Sequence, residues 1–295
     1  MSSATIQYNT RSDYRKRKNR LFYWLVIAMS AITVSPILLI IYKLIIQGYK
    51  QINWSFFTKV APNTLEAMTA NAQGEVIPGG ILNGITGTFL IVVMAAIIAI
   101  PVGIMIGLFL YENQGKRFAS IVRDISDILQ GVPSIVLGLI AYMWVVKPVT
   151  HGFSALAGSV ALAIMMLPLI IRSTEETMKM IPTSLKEAGL ALGVPYYKVI
   201  LRVLIPTGFS GLSTGILLAI SRIIGETAPL MLTTLGSSAV NWDLTKPTSA
   251  IPLLVWEFYN DPNMANLIWS SSLFLMGFVL VLNIISKRIA AKQNR

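Results

Sequence analysis

The sequence predicts an all-α membrane protein that crosses the bilayer six times. Of its 295 residues, 54% are hydrophobic and 13% are charged, and the mean hydropathy is +0.67. Charged residues make up about 25% of an ordinary soluble domain, so this composition places most of the chain in a bilayer. A helix of about 20 apolar residues spans the hydrocarbon core. Six stretches meet this requirement, at residues 21–47, 84–111, 125–146, 153–172, 208–232 and 267–285.

The basic residues alternate from one loop to the next. Apart from Arg222, most of the 24 lysines and arginines lie in the two termini and in the loops on the same side of the membrane. Basic residues collect on the cytoplasmic side, so both termini are predicted to be cytoplasmic. The net charge of +11 therefore reflects membrane orientation, and we expect no nucleic-acid partner. The loops assigned to the outside contain Lys43, Lys50, Lys59, Lys147 and Lys246.

The same pattern predicts a single domain. Residues 21–286 would form one six-span transmembrane domain, because neither a repeat nor a low-complexity tract divides it. Basic cytoplasmic tails at 1–20 and 287–295 would flank it. The polar segment 184–206 would be cytoplasmic as well.

This polar segment, SLKEAGLALGVPYYKVILRVLIP, predicts two short helices at an angle. Ser184 and Glu187 have the spacing of a capping box, in which each side chain satisfies the free backbone N–H of the other residue. Gly193 would end the first helix, and Pro195 fits the first turn of the second. Pro206 would end the second helix, since proline cannot donate a helical hydrogen bond.

The spacing of this segment also resembles the EAA loop of bacterial ABC importer permeases, EAA-x3-G-x9-I-x-L-P. The chain departs from it only by common substitutions, such as glycine at the third position. The resemblance implies that the first helix is a coupling helix that docks in a cleft on an ATP-hydrolysing subunit. An ordinary capped surface helix is the alternative. The predicted coupling residues are Leu185, Glu187, Ala188, Gly189, Leu192 and Gly193.

Two charged residues fall within the fifth predicted span. Arg222 and Glu226 are four residues apart, so on one continuous helix they would share a face. A charge near the bilayer centre costs about 2.5–3.5 kcal/mol even on insertion scales, so Arg222 needs a partner or a water-filled path. The pair is either an internal salt bridge or a polar binding site on the path of a charged solute, and we favour the second interpretation.

The chemistry of this pair suits a protonated oxyanion. Arginine presents a planar fork of donors, whereas an ionised glutamate only accepts hydrogen bonds. Phosphate at neutral pH keeps a proton for the glutamate and sulfate does not, so the pair would tolerate phosphate better. Unchanged transport and anion preference in a Glu226→Gln variant would contradict this hypothesis.

Two further features of the spans leave alternatives open. Arg172 and Glu175 or Glu176 have helical neighbour spacing, which is equally consistent with a membrane-edge salt bridge and with an exit-side gate. The sequence Gly131-Val132-Pro133 interrupts the third predicted span, either as a packing kink or as a break that lines a cavity.

Three more segments resemble the phosphate importers within the ABC permease family: QGVPSIVLGL (130–139), LPLIIRSTEE (167–176) and GETAPL (225–230). The resemblance implies a type I ABC importer permease fold in the bacterial inner membrane. It implies as partners a sister permease subunit, two ATPase subunits, an external phosphate-binding protein, phosphate and membrane lipid. It also implies that Arg172, Glu175, Arg222 and Glu226 matter for phosphate passage.

Other functions fit the sequence less well. A permease for another oxyanion, such as molybdate or phosphonate, is the nearest alternative. A membrane enzyme is disfavoured because the chain has one histidine, no cysteine and few carboxylates, so we expect no catalytic residue, metal or cofactor. A stand-alone secondary transporter would not need the coupling segment. Without a phosphate-binding Walker A motif, the chain would depend on ATP hydrolysed in its partners.

Overall fold

The computed structural model describes the backbone of residues 7–293 and the side chains of residues 14–289, so the predicted tails lie partly outside the described residues. The described part is helical, and its one β-bridge joins Leu235 to Thr248. The α-helices are α1 (Gln7–Gly48), α2 (Trp54–Thr58), α3 (Thr64–Gln73), α4 (Leu82–Glu112), α5 (Arg117–Gly131), α6 (Ser134–Ala141), α7 (Ala155–Met180), α8 (Thr183–Ala191), α9 (Tyr196–Val199), α10 (Ile205–Thr207), α11 (Phe209–Ile224), α12 (Ala228–Thr233), α13 (Ile251–Tyr259) and α14 (Ala265–Gln293). Shorter 3₁₀ and π-helical stretches are Tyr49–Gln51, Tyr142–Thr150, Ile200–Leu204 and Pro262–Met264.

The number of membrane spans agrees with the sequence prediction. Among the described residues, four helices are long and apolar enough to cross a membrane: α1, α4, α7 and α14. Two bent pairs bring the number to six if each pair is one span. One pair joins α5 to the helix at 134–150 with a bend of 106°, and the other joins the helix at 196–207 to α11 with a bend of 72°.

The third span is not the continuous helix predicted at 125–146. Val132 and Pro133 are extended, with ψ of 131° and 135°, and they separate α5 from α6. Proline has no N–H and disfavours helical geometry in the residue before it, which explains the break. As a result α5 is an amphipathic helix that carries charges at 117, 123, 124 and 127, and the apolar crossing begins at Ser134.

Close packing of α4 against α7 forms the centre of the fold. A Cβ atom on Gly103 would lie 2.7 Å from Ile170, and one on Gly107 would lie 2.5 Å from Thr174. Both distances are too short for any larger residue, so the two glycines allow α4 to pack tightly on α7. Buried side chains of α4, α7, α11 and α13 complete this core, including Ile91, Leu162, Met166, Ile223 and Leu253.

The long polar loop between α12 and α14, at residues 234–264, is more ordered than its composition suggested. Within it, α13 buries Leu254 and Phe258 against Phe56 and Ile81. Both partners lie in the first long loop, at residues 49–81, and Ile81 directly precedes α4. The backbone N–H of Ile251 donates to Thr88 Oγ1 of α4 at 2.9 Å. These contacts fasten both loops to the N-terminal end of α4.

The two terminal helices pack together at one end. Ser270 Oγ of α14 donates to the carbonyl of Gly48 in α1 at 2.6 Å. Most of α1 is exposed, including the apolar residues Leu21, Phe22 and Ile40. This surface suits lipid or another membrane subunit.

Candidate functional site

The predicted coupling helix is present as α8, but its start differs from the prediction. The helix begins at Thr183 after Pro182, which is extended with φ −58° and ψ 132°. Ser184 and Glu187 therefore lie inside the first turns, and the described α8 has no side-chain cap. The predicted capping box is wrong, because α8 begins directly after Pro182, two residues earlier than an N-cap at Ser184 requires.

The end of α8 follows the prediction. Gly193 adopts the left-handed φ of +73° that ends helices, and its N–H donates to the carbonyl of Leu190 at 2.9 Å. Only glycine adopts this conformation without strain, so the chain turns sharply here. Pro195 lies at the N-cap, one residue before the first turn of α9 and not within it as predicted.

Helix α8 and the helical stretch at 196–207 form a helical hairpin. Its second limb, the stretch at 196–207, does not end at Pro206. Helical geometry continues to Thr207, and Gly208 separates it from α11. The π-helical turns at Ile200–Leu204 lie just before Pro206. They adjust the hydrogen bonding where proline lacks an N–H, so the helix passes through it.

The predicted coupling residues divide between two roles. A Cβ on Gly189 would lie 3.1 Å from Val199, so this glycine closes the hairpin of α8 on α9. Leu185 is 41% exposed and Leu192 is 83% exposed, and Glu187 and Ala188 are exposed as well. Leu185, Glu187 and Leu192 are therefore all exposed, although Glu187, two residues after Leu185, lies on a different face of α8.

The charged residues at the end of α7 form a compact network with α5. Glu175 Oε1 accepts hydrogen bonds at 2.6 Å from both Arg123 Nη2 and Lys179 Nζ. The side chain of Glu175 is only 7% exposed. This buried carboxylate holds α5 against α7 and bonds two cations at once.

Arg172 pairs with different carboxylates from those around Glu175. Its Nε donates to Glu176 Oε1 at 3.1 Å, and its Nη1 lies 3.7 Å from Asp127 Oδ1 of α5. Of the two partners that spacing allowed, Glu176 is the one that bonds. The side chain of Arg172 stays 60% exposed beside a cavity of about 150 Å³. An anion can therefore reach this guanidinium, whereas Glu175, which borders the same cavity, is already bonded to two cations.

Arg222 and Glu226 do not share a helix face. Helix α11 ends at Ile224, and Glu226 lies in the turn before α12. No ion pair joins the two side chains among those described at 14–289. Glycine at 225 and proline at 229 end one helix and begin the next, which the four-residue spacing did not reveal.

Arg222 itself lies exposed near a groove between α7 and α11. Gly211 faces Thr177 and Gly215 faces Ser173 across this seam. The groove has a volume of about 530 Å³ and extends to Leu218, one turn before Arg222. Arg222 is thus an exposed arginine one turn beyond a groove whose lining includes glycines, hydroxyl groups and the Glu176 carboxylate.

A second cavity lies at the other end of α4. It has a volume of about 400 Å³ and is lined by Asn83, Glu257 and Asp261 among others. Burial raises the pKa of Glu257. Because Asn83 is near the start of α4 and Glu112 is its last residue, about 44 Å of helix separates this cavity from α8.

Several residues of these sites were not found from the sequence. Arg123 and Asp127 are four residues apart on amphipathic α5, which signals a common face but not a partner on α7. Lys186 donates to Glu112 Oε2 at 2.7 Å across 74 residues, and only the tertiary fold brings the two together.

The helical fold, the exposed short helix α8 and the exposed arginine within the fifth span are together typical of one class, the multi-pass permeases of type I ABC importers. Residues 99–295 match the family model described as "Binding-protein-dependent transport system inner membrane component". The chain belongs to this family. It is thus a transport component of the inner membrane and not an enzyme, and it works with ATPase and substrate-binding partners.

Curated relatives extend the similarity over nearly the whole chain. The phosphate transport system permease protein PstA of Yersinia pestis is 37% identical over 99% of this chain and 97% of that protein. PstA of Haemophilus influenzae is 34% identical, over 95% of this chain and 96% of that protein.

Solved structures show the same fold. A chain of the inward-facing MetNI methionine ABC transporter has a TM-score of 0.58 and 21% identity, covering 72% of this chain and 96% of that chain. A chain of a bacterial ABC transporter that imports alginate has a TM-score of 0.57 and 13% identity, covering 94% of this chain and 99% of that chain. The predicted fold class is confirmed.

Proposed function

We propose that this chain is the permease subunit through which an ATP-driven importer moves inorganic phosphate into the bacterial cytoplasm. Identity of 33–37% to PstA proteins, over 95–99% of the chain, is the observation that carries the proposal. The position of Arg222 supports it from geometry. A guanidinium that is exposed within a span binds an oxyanion well and is costly without one.

The four predicted path residues contribute unequally to this proposal. Arg172 and Arg222 are exposed, and each offers hydrogen-bond donors to an anion. Glu226 is half-buried in the turn after α11, where it accepts a hydrogen bond from a protonated oxyanion. Glu175 is saturated by Arg123 and Lys179, so it supports the path by holding α5 in place.

The partners follow from the same relatives. A PstC-like sister permease would complete the path, two PstB-like subunits would hydrolyse ATP, and a PstS-like protein would deliver phosphate from outside. Both termini and α8 would lie in the cytoplasm. ATP binding in the partners would move α8 and rock the spans, so that access to the path alternates between the two sides.

Uptake of radiolabelled phosphate by proteoliposomes tests the proposal. The full complex is reconstituted with ATP inside and the binding protein outside. An Arg222→Gln variant should take up phosphate at least about tenfold more slowly, which corresponds to about 1.4 kcal/mol of lost stabilisation along the path. Assembly and ATP hydrolysis should remain. Arg202→Gln is the matched control, because Arg202 is an exposed arginine of the hairpin after α8.

Two results would contradict the proposal. Equal uptake rates for the Arg222 and Arg202 variants would remove Arg222 from the path. Stronger inhibition by unlabelled molybdate or phosphonate than by unlabelled phosphate would favour a permease for another oxyanion.

A further inference from the structure

Lys186 of α8 lies at a point where three helices meet. Its Nζ donates to Glu112 Oε2 at 2.7 Å, and Glu112 is the last residue of α4. The side chains of Lys186 and Glu112 are only 25% and 20% exposed. Partial burial shields this pair from solvent, unlike an ordinary surface salt bridge.

Two aromatic rings enclose the same ammonium group. Lys186 Nζ lies 5.7 Å from the ring centre of Tyr111 and 5.2 Å from that of Tyr196. Both distances allow a cation–π interaction. One ring belongs to α4 and the other to α9, so the ammonium joins α8, α4 and the second limb of the hairpin.

This attachment matters because it joins α8 to α4, whereas the chain itself joins α8 only to α7, through Ile181 and Pro182. Helix α8, all of which the structure describes, has no buried residue. Its close contact at Gly189 is with Val199, within its own hairpin. The ion pair of Lys186, in contrast, reaches α4, which packs tightly on α7 through Gly103 and Gly107.

We infer that Lys186 and Glu112 form the link through which movement of α8 reaches α4 and the core. Lys186 acts here as a positioning residue for transport. The inference rests on the proposed function, since it assigns the route by which an ATPase partner would drive that transport. A displacement of α8 pulls on the end of α4 as long as the ammonium stays between the carboxylate and the two rings.

The proposed link also predicts that transport tolerates an exchange of the two charges between positions 186 and 112. Reversing both charges keeps an ion pair between α8 and α4, although it loses the cation–π contacts in their present form. Arginine at position 186 keeps both the charge and the ring contacts, since a guanidinium stacks on aromatic faces. Methionine keeps the length and removes the charge.

The experiment measures the ratio of phosphate imported to ATP hydrolysed by the full complex in proteoliposomes. Lys186→Met should lower this ratio at least fivefold while ATP hydrolysis continues. Lys186→Arg should stay within twofold of the wild type, and Lys186→Glu combined with Glu112→Lys should recover part of the loss. Lys198→Met is the matched control, because Lys198 is exposed and 6.0 Å from the ring of Tyr197.

A ratio within twofold of wild type in Lys186→Met would overturn the inference. A parallel loss of ATP hydrolysis and uptake would also overturn it, since that result indicates a purely structural role. If Lys186→Met does not assemble, Glu112→Gln supplies the same readout while leaving the ammonium between the rings. If the wild-type complex imports another oxyanion, the proposed substrate fails but the ratio is measured with that anion.

Discussion

Charged side chains at the membrane edge of this protein are held by partners from different helices. Glu175 accepts from Arg123 of α5 and from Lys179 of its own helix, both at 2.6 Å. Arg172 bonds Glu176 one turn away and approaches Asp127 of α5. The buried carboxylate of Glu175 therefore stabilises the packing of α5 on α7, and the exposed guanidinium of Arg172 remains accessible to an anion.

Replacing Glu175 tests this division of roles. In Glu175→Gln, Arg123 and Lys179 lose their shared carboxylate, and a mostly buried amide cannot satisfy both cations. We expect the free energy of unfolding to fall by about 1–3 kcal/mol, the usual cost of an unsatisfied buried group. The measurement is denaturant or thermal unfolding of the purified complex.

Glu176→Gln is the control for this experiment, because the Glu176 side chain is 62% exposed. It should change stability by less than about 1 kcal/mol. If the two variants are equally stable, Glu175 does not anchor α5. A direct role in the path would then regain support.

Helical spacing predicted some of these contacts and missed others. It offered Glu175 and Glu176 as partners of Arg172, and Glu176, four residues away on one helix face, is the one that bonds. It failed for Arg222 and Glu226, because a glycine ends α11 between them. It could not reveal Arg123 with Glu175 or Lys186 with Glu112, since those pairs depend on which helices pack together.

At the scale of helices, glycine and proline decide where each span bends and how closely it packs. Pro133 separates α5 from α6, and Gly208 separates the hairpin from α11. The sequence marked both places, but a packing kink and a 106° bend give the same local pattern. The angle depends on the surroundings, here the network that holds α5 on α7.

The α4–α7 contact provides a test at this scale. Gly107→Val places methyl groups where even a Cβ lies 2.5 Å from Thr174. Overpacking of this kind costs about 1–3 kcal/mol, so the melting temperature and the yield of assembled complex should fall. Gly277→Val in α14 is the control, because a Cβ there meets nothing within 4 Å. Equal melting temperatures would show that α4 and α7 can separate to admit the larger residue.

At the scale of the whole molecule, α4 separates two functional ends. Its last residue contacts the coupling helix, and its first turn borders the cavity between the two long loops. The alternation of basic residues predicts that the first end is cytoplasmic and the second is external. The transport mechanism requires this orientation, because ATP is available only inside.

Thiol labelling measures the orientation directly, since the natural chain has no cysteine. Ser184→Cys and Ser238→Cys each place one thiol at an exposed position, in α8 and in the last long loop. A membrane-impermeant maleimide should label Ser238→Cys in right-side-out vesicles and Ser184→Cys only in inside-out vesicles. The reverse pattern would place both termini outside and contradict the proposed direction of coupling.

The sequence by itself determined the class of this protein and the approximate positions of its apolar helices, and it predicted α8 as the coupling helix. Those properties follow from hydropathy, from charge distribution and from local glycine and proline geometry, all of which act between near neighbours in the chain. Only the tertiary structure decided which charges are paired, where the third and fifth spans break, and how α8 is tied to α4. Such contacts join residues 52 to 74 positions apart, and their energies depend on packing that no local pattern contains.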